Sequence, residues 1–197
     1  MITDCGKTVK KLMQQVDGKC GATAMTYLCE LAQSLSDVPG FFVDLGTYQG
    51  RSAMVLTLAS MGDKQRRRII SIDNYLEGTS AREPEAGGQP DFWILQARFK
   101  CRGRVYLVMG DTAEVPPPVV GQEIALVFVD ADHNRDGLIR DIETWKPLVR
   151  PGGLMAFDDY GSTNWPDVKP TVDELMSDWQ RLEQRGSVIA FRNARTG

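Results

Sequence analysis

The chain has a single histidine, His133, and four cysteines (Cys5, Cys20, Cys29 and Cys101) with no Cys-x-x-Cys spacing. That excludes a histidine-rich metal centre and indicates neither a zinc site nor a disulfide framework. Any metal would have to be held mostly by oxygen. No apolar run approaches the roughly 18 residues a membrane span requires, and the opening "MITDCGKTVKK" lacks the apolar core of a secretory signal. A basic stripe is missing too. The net charge is −3, the cationic residues are scattered, and the one dense cluster, "KQRRR" at 64–68, reads as a solvated loop ahead of a strand. These absences lead us to expect a cytoplasmic protein with reduced thiols and neither a membrane nor a nucleic-acid partner.

What is present suits one domain: 197 residues, of which 42% are apolar. We expect it to span residues 1–197, as a helical N-terminal segment (1–35) and a core over 40–193. Within 1–35, "GATAMTYLCELAQSL" (21–35) has apolar residues at helical spacing. Short apolar bursts predict strands at 40–46, 67–73, 104–111, 124–130 and 154–159, with a last strand at 187–193. Helical patterns fill 52–61, 136–149 and 171–182, and "RPGG" (150–153) reads as the tight turn into the fifth strand. The segment "WQRLEQRGSVIAFR" allows two readings, a hairpin turning at Arg185–Gly186 or a helix followed by one strand. Strands alternating with helices predict an α/β fold: a Rossmann-like, doubly wound, mostly parallel sheet with helices on both faces.

The first five strands share one feature. Each ends in an aspartate: Asp44, Asp73, Asp111, Asp130 and Asp158. The carboxyl edge of such a sheet is where ligands bind, and burial alone gives no reason to place five acids along it. Two polar stretches leave from the same edge. Residues 74–92 read as a lid or insert, and 160–170 contain Tyr160 and Trp165, which either wall an acceptor pocket or pack. Trp145 reads as packing for its own helix.

The first turn, "VDLGTYQGRS" (43–52), joins a strand to a helix through Gly46 and Gly50. Gly46 lets the chain turn, and Gly50 lets the backbone approach a ligand at the helix N-terminus. Ser52 either caps that helix or donates to the ligand. A dinucleotide fingerprint would need a glycine where Tyr48 stands. Asp44 would also repel phosphates and attract the sulfonium and ammonium of S-adenosylmethionine. A dinucleotide-binding NAD(P) oxidoreductase is therefore the weaker alternative; a non-catalytic ligand-binding module is another.

"FFVDLGTYQGRS", "IISIDNY", "VMGDT" and "FVDADHNRDGLIRDIETWKPLVRPGGLMAFDDY" together resemble a class I S-adenosylmethionine-dependent methyltransferase. More narrowly, the chain resembles the small-domain family of cephalosporin-hydroxylase-associated and macrolide sugar O-methyltransferases, over about residues 35–192 and most specifically over 124–160. The resemblance implies that Asp44, Gly46, Tyr48 and Gly50 hold the methionine end. It implies that Asp73 holds the ribose hydroxyls and that Asp111 flanks the adenine. It also implies that the fourth and fifth strands are neighbours, so that Asp130, Asp158 and Asp159 converge. Close carboxylates repel one another, and a hard divalent cation relieves that repulsion. Metal-dependent members of the resembled family carry an Asp-x-x-His after strand four and an acidic pair after strand five, matched here by Asp130, His133 and Asp158–Asp159. The implied reading is a probe for the structure: Mg²⁺ on Asp130, Asp158 and Asp159, with Asp130 also beside the cofactor. His133 would act as base toward a small-molecule hydroxyl. Asp132 either orients His133 or faces water. A homo-oligomer stays open.

Overall fold

The computed structural model describes residues 4–63, 67–75, 91–115 and 124–195. Most of the expected 74–92 lid and part of the 64–68 cluster therefore lie outside the described residues. Helices α1 (Cys5–Met13) and α2 (Ala22–Ser34) lead into strand β1 (Phe41–Leu45), helix α3 (Arg51–Ala59) and strand β2 (Ile69–Asp73). Helix α4 (Phe92–Arg98) precedes strands β3 (Val105–Met109) and β4 (Ile124–Val129). Helix α5 (Arg135–Trp145) and a 3-10 turn (Lys146–Leu148) then lead into strand β5 (Val149–Phe157). Helix α6 (Val168–Leu175) and strands β6 (Gln180–Arg185) and β7 (Val188–Arg192) complete the chain.

Seven strands form one sheet in the order β3-β2-β1-β4-β5-β7-β6. Pairings among β1 to β5 are parallel, and β7 runs antiparallel to both β5 and β6. Strand order reverses between β1 and β4, the point where an open α/β sheet leaves a crevice for a ligand. The expected doubly wound fold is the one observed. Strand β4 is buried along its whole length because both faces are covered. Leu126 and Phe128 join α1, α2 and α3 in one core, and Val127 and Val129 join α5 and α6 in the other. No helix among the described residues is long and apolar enough to cross a membrane.

Four local expectations change or resolve. Pro151, Gly152 and Gly153 are not a turn ahead of β5 but part of it. Ile124 pairs with Val149 and Leu126 with Leu154, so β5 bulges outward here. Gly152, at φ +81, donates its N–H to the Asn193 carbonyl at 2.8 Å, which hooks the bulge onto the end of β7. The tail forms the hairpin rather than the longer helix: α6 stops at Leu175 and Gly186 turns the chain at φ +60. Arg67 is not solvated. Its buried guanidinium donates to the carbonyls of Leu35, Val38 and Gly40 and pairs with Asp63 at 2.7 Å. Finally, Cys5 and Cys29 pair as a disulfide with Cα atoms 5.9 Å apart, tying α1 to α2 where no disulfide was expected. Their 24-residue separation carries no local signal; only the packing of two helices brings them together.

Candidate active site

A cleft of about 360 Å³ opens at the carboxyl ends of the strands. Seven aspartates line it: Asp73, Asp111, Asp130, Asp132, Asp141, Asp158 and Asp159. Main-chain bonds continue past the strands to this rim. The Gly46 N–H donates to Ile72 O (2.9 Å), the Asp130 N–H to Leu45 O (2.9 Å) and the Asp158 N–H to Val129 O (3.1 Å). Ladder pairing therefore aligns the acids that close adjacent strands.

The turn after β1 is built tightly. Gly46 takes φ +88, and a Cβ there would fall 2.0 Å from the Asp130 carbonyl oxygen. Its lack of a side chain lets the first turn pack against the end of β4. Tyr48 is forced to φ 45, a conformation costly for a residue with a bulky side chain. The Asp73 carboxylate holds it there: one oxygen accepts from the Tyr48 N–H and the other from the Tyr75 N–H, both at 2.9 Å. Tyr48 and Asp73 line the cleft together. Gly50, at φ +81, is the N-cap of α3, and no side chain caps that helix. Ser52 is thus not the cap; it lines the cleft.

Asp44 lies beneath the turn, fully buried and outside the residues that line the cleft. Ser71 donates to its Oδ2 at 2.6 Å, so the 2.7 Å contact between Thr47 and Ser71 has Thr47 as donor. Its Oδ1 is buried without a partner. Burial outweighs the lowering effect of the Ser71 and Ser52 hydroxyls and pushes the carboxyl up to about 7. Asp111 lines the cleft, accepts the Ala113 N–H at 2.8 Å and pairs with Arg140 at 3.1 Å.

Beyond β4 and β5 the acids behave differently. His133 Nε2 lies 3.0 Å from Asp159 Oδ2 and 3.5 Å from Asp130 Oδ1. The distances are those of an ion pair, but Nε2 is buried and its alignment makes no directional hydrogen bond. Burial alone would lower the imidazole pKa; Asp130 and Asp159 overcome it and raise the ring to about 9. Burial likewise lifts Asp130 to about 6, offset in part by the neighbouring His133 and by the Cys20 thiol and reinforced by Asp158. The acidic pair splits. Asp158 accepts from the Ser187 hydroxyl, whereas Asp159, at φ 52, turns toward His133.

Asp132 accepts from the Asn134 N–H at 3.0 Å and packs against Gly137, so it serves the entry to α5 and does not orient His133. Trp165 is a wall of the cleft and stacks on the His133 ring, centroids 4.6 Å apart and planes 23° from parallel. Tyr160 is packing. Its buried hydroxyl bonds Asp173, Lys169 and Arg181. Trp145 is also packing, with its indole N–H on the Thr112 carbonyl at 2.8 Å.

Sequence reasoning missed the loop between α1 and α2, whose residues Gly18, Lys19, Cys20 and Gly21 close one side of the cleft. Cys20 Sγ donates to Asp130 Oδ2 at 3.1 Å. The loop is fastened by Arg51, which donates to the carbonyls of Val16, Gly18 and Cys20 at 3.0, 2.7 and 3.1 Å. An isolated cysteine 110 positions from its acceptor gives no sequence signal.

The sheet order, the glycine turn at the switch point and the acid-lined crevice define the class I methyltransferase architecture. A family model described as "Methyltransferase domain" matches residues 43–160, and the chain belongs to that family. The match is to a methyltransferase domain and not to a dinucleotide-binding oxidoreductase. Among solved structures, the O-methyltransferase NovP shares the fold over 89% of this chain and 81% of its own, at a TM-score of 0.73 and 15% identity. MycE, from the mycinamycin biosynthetic pathway and solved with Mg, SAH and mycinamycin VI, covers 98% of this chain and 56% of its own, at a TM-score of 0.62 and 14% identity. "Uncharacterized protein R132" of Acanthamoeba polyphaga mimivirus is 26% identical over 145 residues, 71% of this chain. The chain's match spans 60% of that relative's length.

Proposed function

We propose that the enzyme methylates a hydroxyl oxygen of a small molecule with help from a divalent cation. The observation that carries this reading is the gathering of carboxylates on both sides of Asp130, with Asp159 and a buried His133 nitrogen at one oxygen and Asp158 and Cys20 at the other. The donor chemistry fits a divalent ion: Cys20, Asp130 and Asp158 form one compact set, and Asp159 comes close to Asp130 on the other side, beside His133. A bound cation would offset the carboxylate charge and make a hydroxyl beside it more acidic. MycE, with its bound Mg, is a precedent within the fold.

The chain's own groups divide the work. The turn from Gly46 to Ser52 would receive the methionine end of the cofactor. Asp73 has accepting capacity left on each oxygen for the ribose hydroxyls. Asp111 would border the adenine with Arg140 as its partner. Asp44 would act through the turn and the field it creates. His133 is the base, under one condition. With its pKa raised to about 9 the ring is already protonated at neutral pH. It accepts a proton only once Asp130 and Asp159 are neutralised by something other than its own proton. Trp165 would hold the ring in place and face the acceptor. A cleft lined by seven aspartates favours neutral or cationic acceptors over polyphosphates and nucleic acid.

Calorimetry with S-adenosylhomocysteine, with and without Mg²⁺, on the wild type and Asp130→Asn tests the proposal. We expect a Mg²⁺ response in the wild type that the variant loses while cofactor binding persists. Cofactor binding indifferent to Mg²⁺ in the wild type would remove Mg²⁺ from the reading.

A further inference from the structure

Two donor sets meet at Asp130, one through each of its carboxylate oxygens. Oδ1 faces His133, beside Asp159; Oδ2 accepts from Cys20, beside Asp158. Within each set the ligand atoms lie within 4.8 Å of one another. The centre therefore contains a sulfur and an imidazole nitrogen as well as carboxylate oxygens. They come from four segments: the α1–α2 loop, the end of β4, the turn after it and the end of β5.

Cys20 is held in this position by more than its own bond. Arg51 ties down the main chain on both sides of it through three carbonyls. Gly18 packs so closely on that arginine that a Cβ would fall 2.9 Å from the Arg51 side chain. The second sign of a ligand is His133 Nε2, buried against Asp159 with no aligned hydrogen bond.

We propose that Cys20 is a direct ligand of the divalent ion, so that the centre selects a thiophilic first-row ion such as Zn²⁺ or Co²⁺ over Mg²⁺. The inference rests on the metal-assisted reading above and specifies it. Magnesium takes oxygen ligands in near-octahedral geometry and keeps its waters, whereas thiolate and imidazole donors suit borderline ions. On binding, the Cys20 S–H bond breaks, a sulfur–metal bond forms, and one proton leaves to solvent for each ion taken up. The thiolate and the carboxylates of Asp130 and Asp158 then share the ion's charge.

The test is Co²⁺ titration of the full chain followed by absorption, with Cys20→Ser, Asp130→Asn and, as a thiol control, Cys101→Ser. Wild type and Cys101→Ser are expected to develop a sulfur-to-cobalt charge-transfer band in the near ultraviolet. Cys20→Ser should lack the band and bind Co²⁺ about tenfold or more weakly, with Mg²⁺ affinity little changed. Proton release measured in weak buffer should fall by one per ion in that variant. Co²⁺ binding that depends on Asp130 but shows no charge-transfer band in the wild type would overturn the sulfur ligand and leave an oxygen-ligated centre standing. Binding indifferent to Asp130→Asn would overturn both. The wild-type spectrum decides the matter even if a variant folds poorly, and S-adenosylhomocysteine affinity reports whether each variant is intact.

Discussion

The two halves of the rim contain the same residue type and use it in opposite ways. On the β1–β2 side the cleft carboxylate is satisfied by the backbone: Asp73 accepts two main-chain N–H groups and thereby sets the Tyr48 turn. On the β4–β5 side Asp130, Asp158 and Asp159 meet a thiol, a hydroxyl and an imidazole. Carboxylates that accept backbone N–H groups make a rigid cradle without needing a counter-ion. Carboxylates gathered without such donors retain charge that something else must balance. On the proposed reading the first half would receive the nucleoside and the second a cation.

The comparison breaks most completely at the joint between the halves. Gly46→Ala would drive a Cβ into the Asp130 carbonyl and demand φ +88 of a side-chain-bearing residue. We expect a loss of about 3–4 kcal/mol, read as a lower denaturation midpoint together with loss of S-adenosylhomocysteine binding. Next, Asp130→Asn should lower methyl transfer about 100-fold or more while the fold and cofactor affinity survive; assay of turnover beside calorimetry separates the two. On the other half, Asp73→Ala frees the N–H groups of Tyr48 and Tyr75. It should cost about 1–3 kcal/mol, expressed mainly as weaker cofactor binding, with the cation response intact.

Asp44 sharpens the contrast through pH. Its pKa is raised from the usual carboxylate range to about 7, so the folded state holds the proton more tightly than the unfolded chain. The resulting stabilisation is complete below the unfolded value and disappears as pH rises through about 7. Asp44→Asn removes this dependence. Its melting temperature relative to wild type should therefore climb between pH 5 and pH 8, by an amount corresponding to about 1–3 kcal/mol. A constant difference across that range would show that Asp44 carries no such proton. The smallest effect is expected at Trp165, whose stack on His133 contributes about 0.5–1.5 kcal/mol. Trp165→Ala should lower kcat about tenfold or less and leave cofactor affinity alone, and Trp165→Phe should restore most of the loss.

Much of the fold was legible because its signals are local. Short apolar runs such as "ALVFV" read as strands buried on both faces, and β4 is buried on both. An acid at the end of each early strand marked the ligand edge, and the cleft contains Asp73, Asp111, Asp130 and Asp158. The failures follow long-range geometry. Ser52 left two readings open, a cap or a ligand contact, and the left-handed Gly50 took the cap position. Arg67 sat in a charged cluster and looked solvated, although three carbonyls from residues 35–40 enclose it.

By itself the sequence determined the alternation of strands and helices, the acids at the strand ends and the glycines of the first turn, because propensity and burial period act over a few residues. Only the tertiary structure decided that Asp44 sits beneath the cleft, that the paired acids part company at Asp159, and that Cys20 reaches Asp130 across 110 positions. Those placements depend on how the α1–α2 loop packs on α3 and on the register of β4 against β5, and such packing is resolved only when the whole chain is folded.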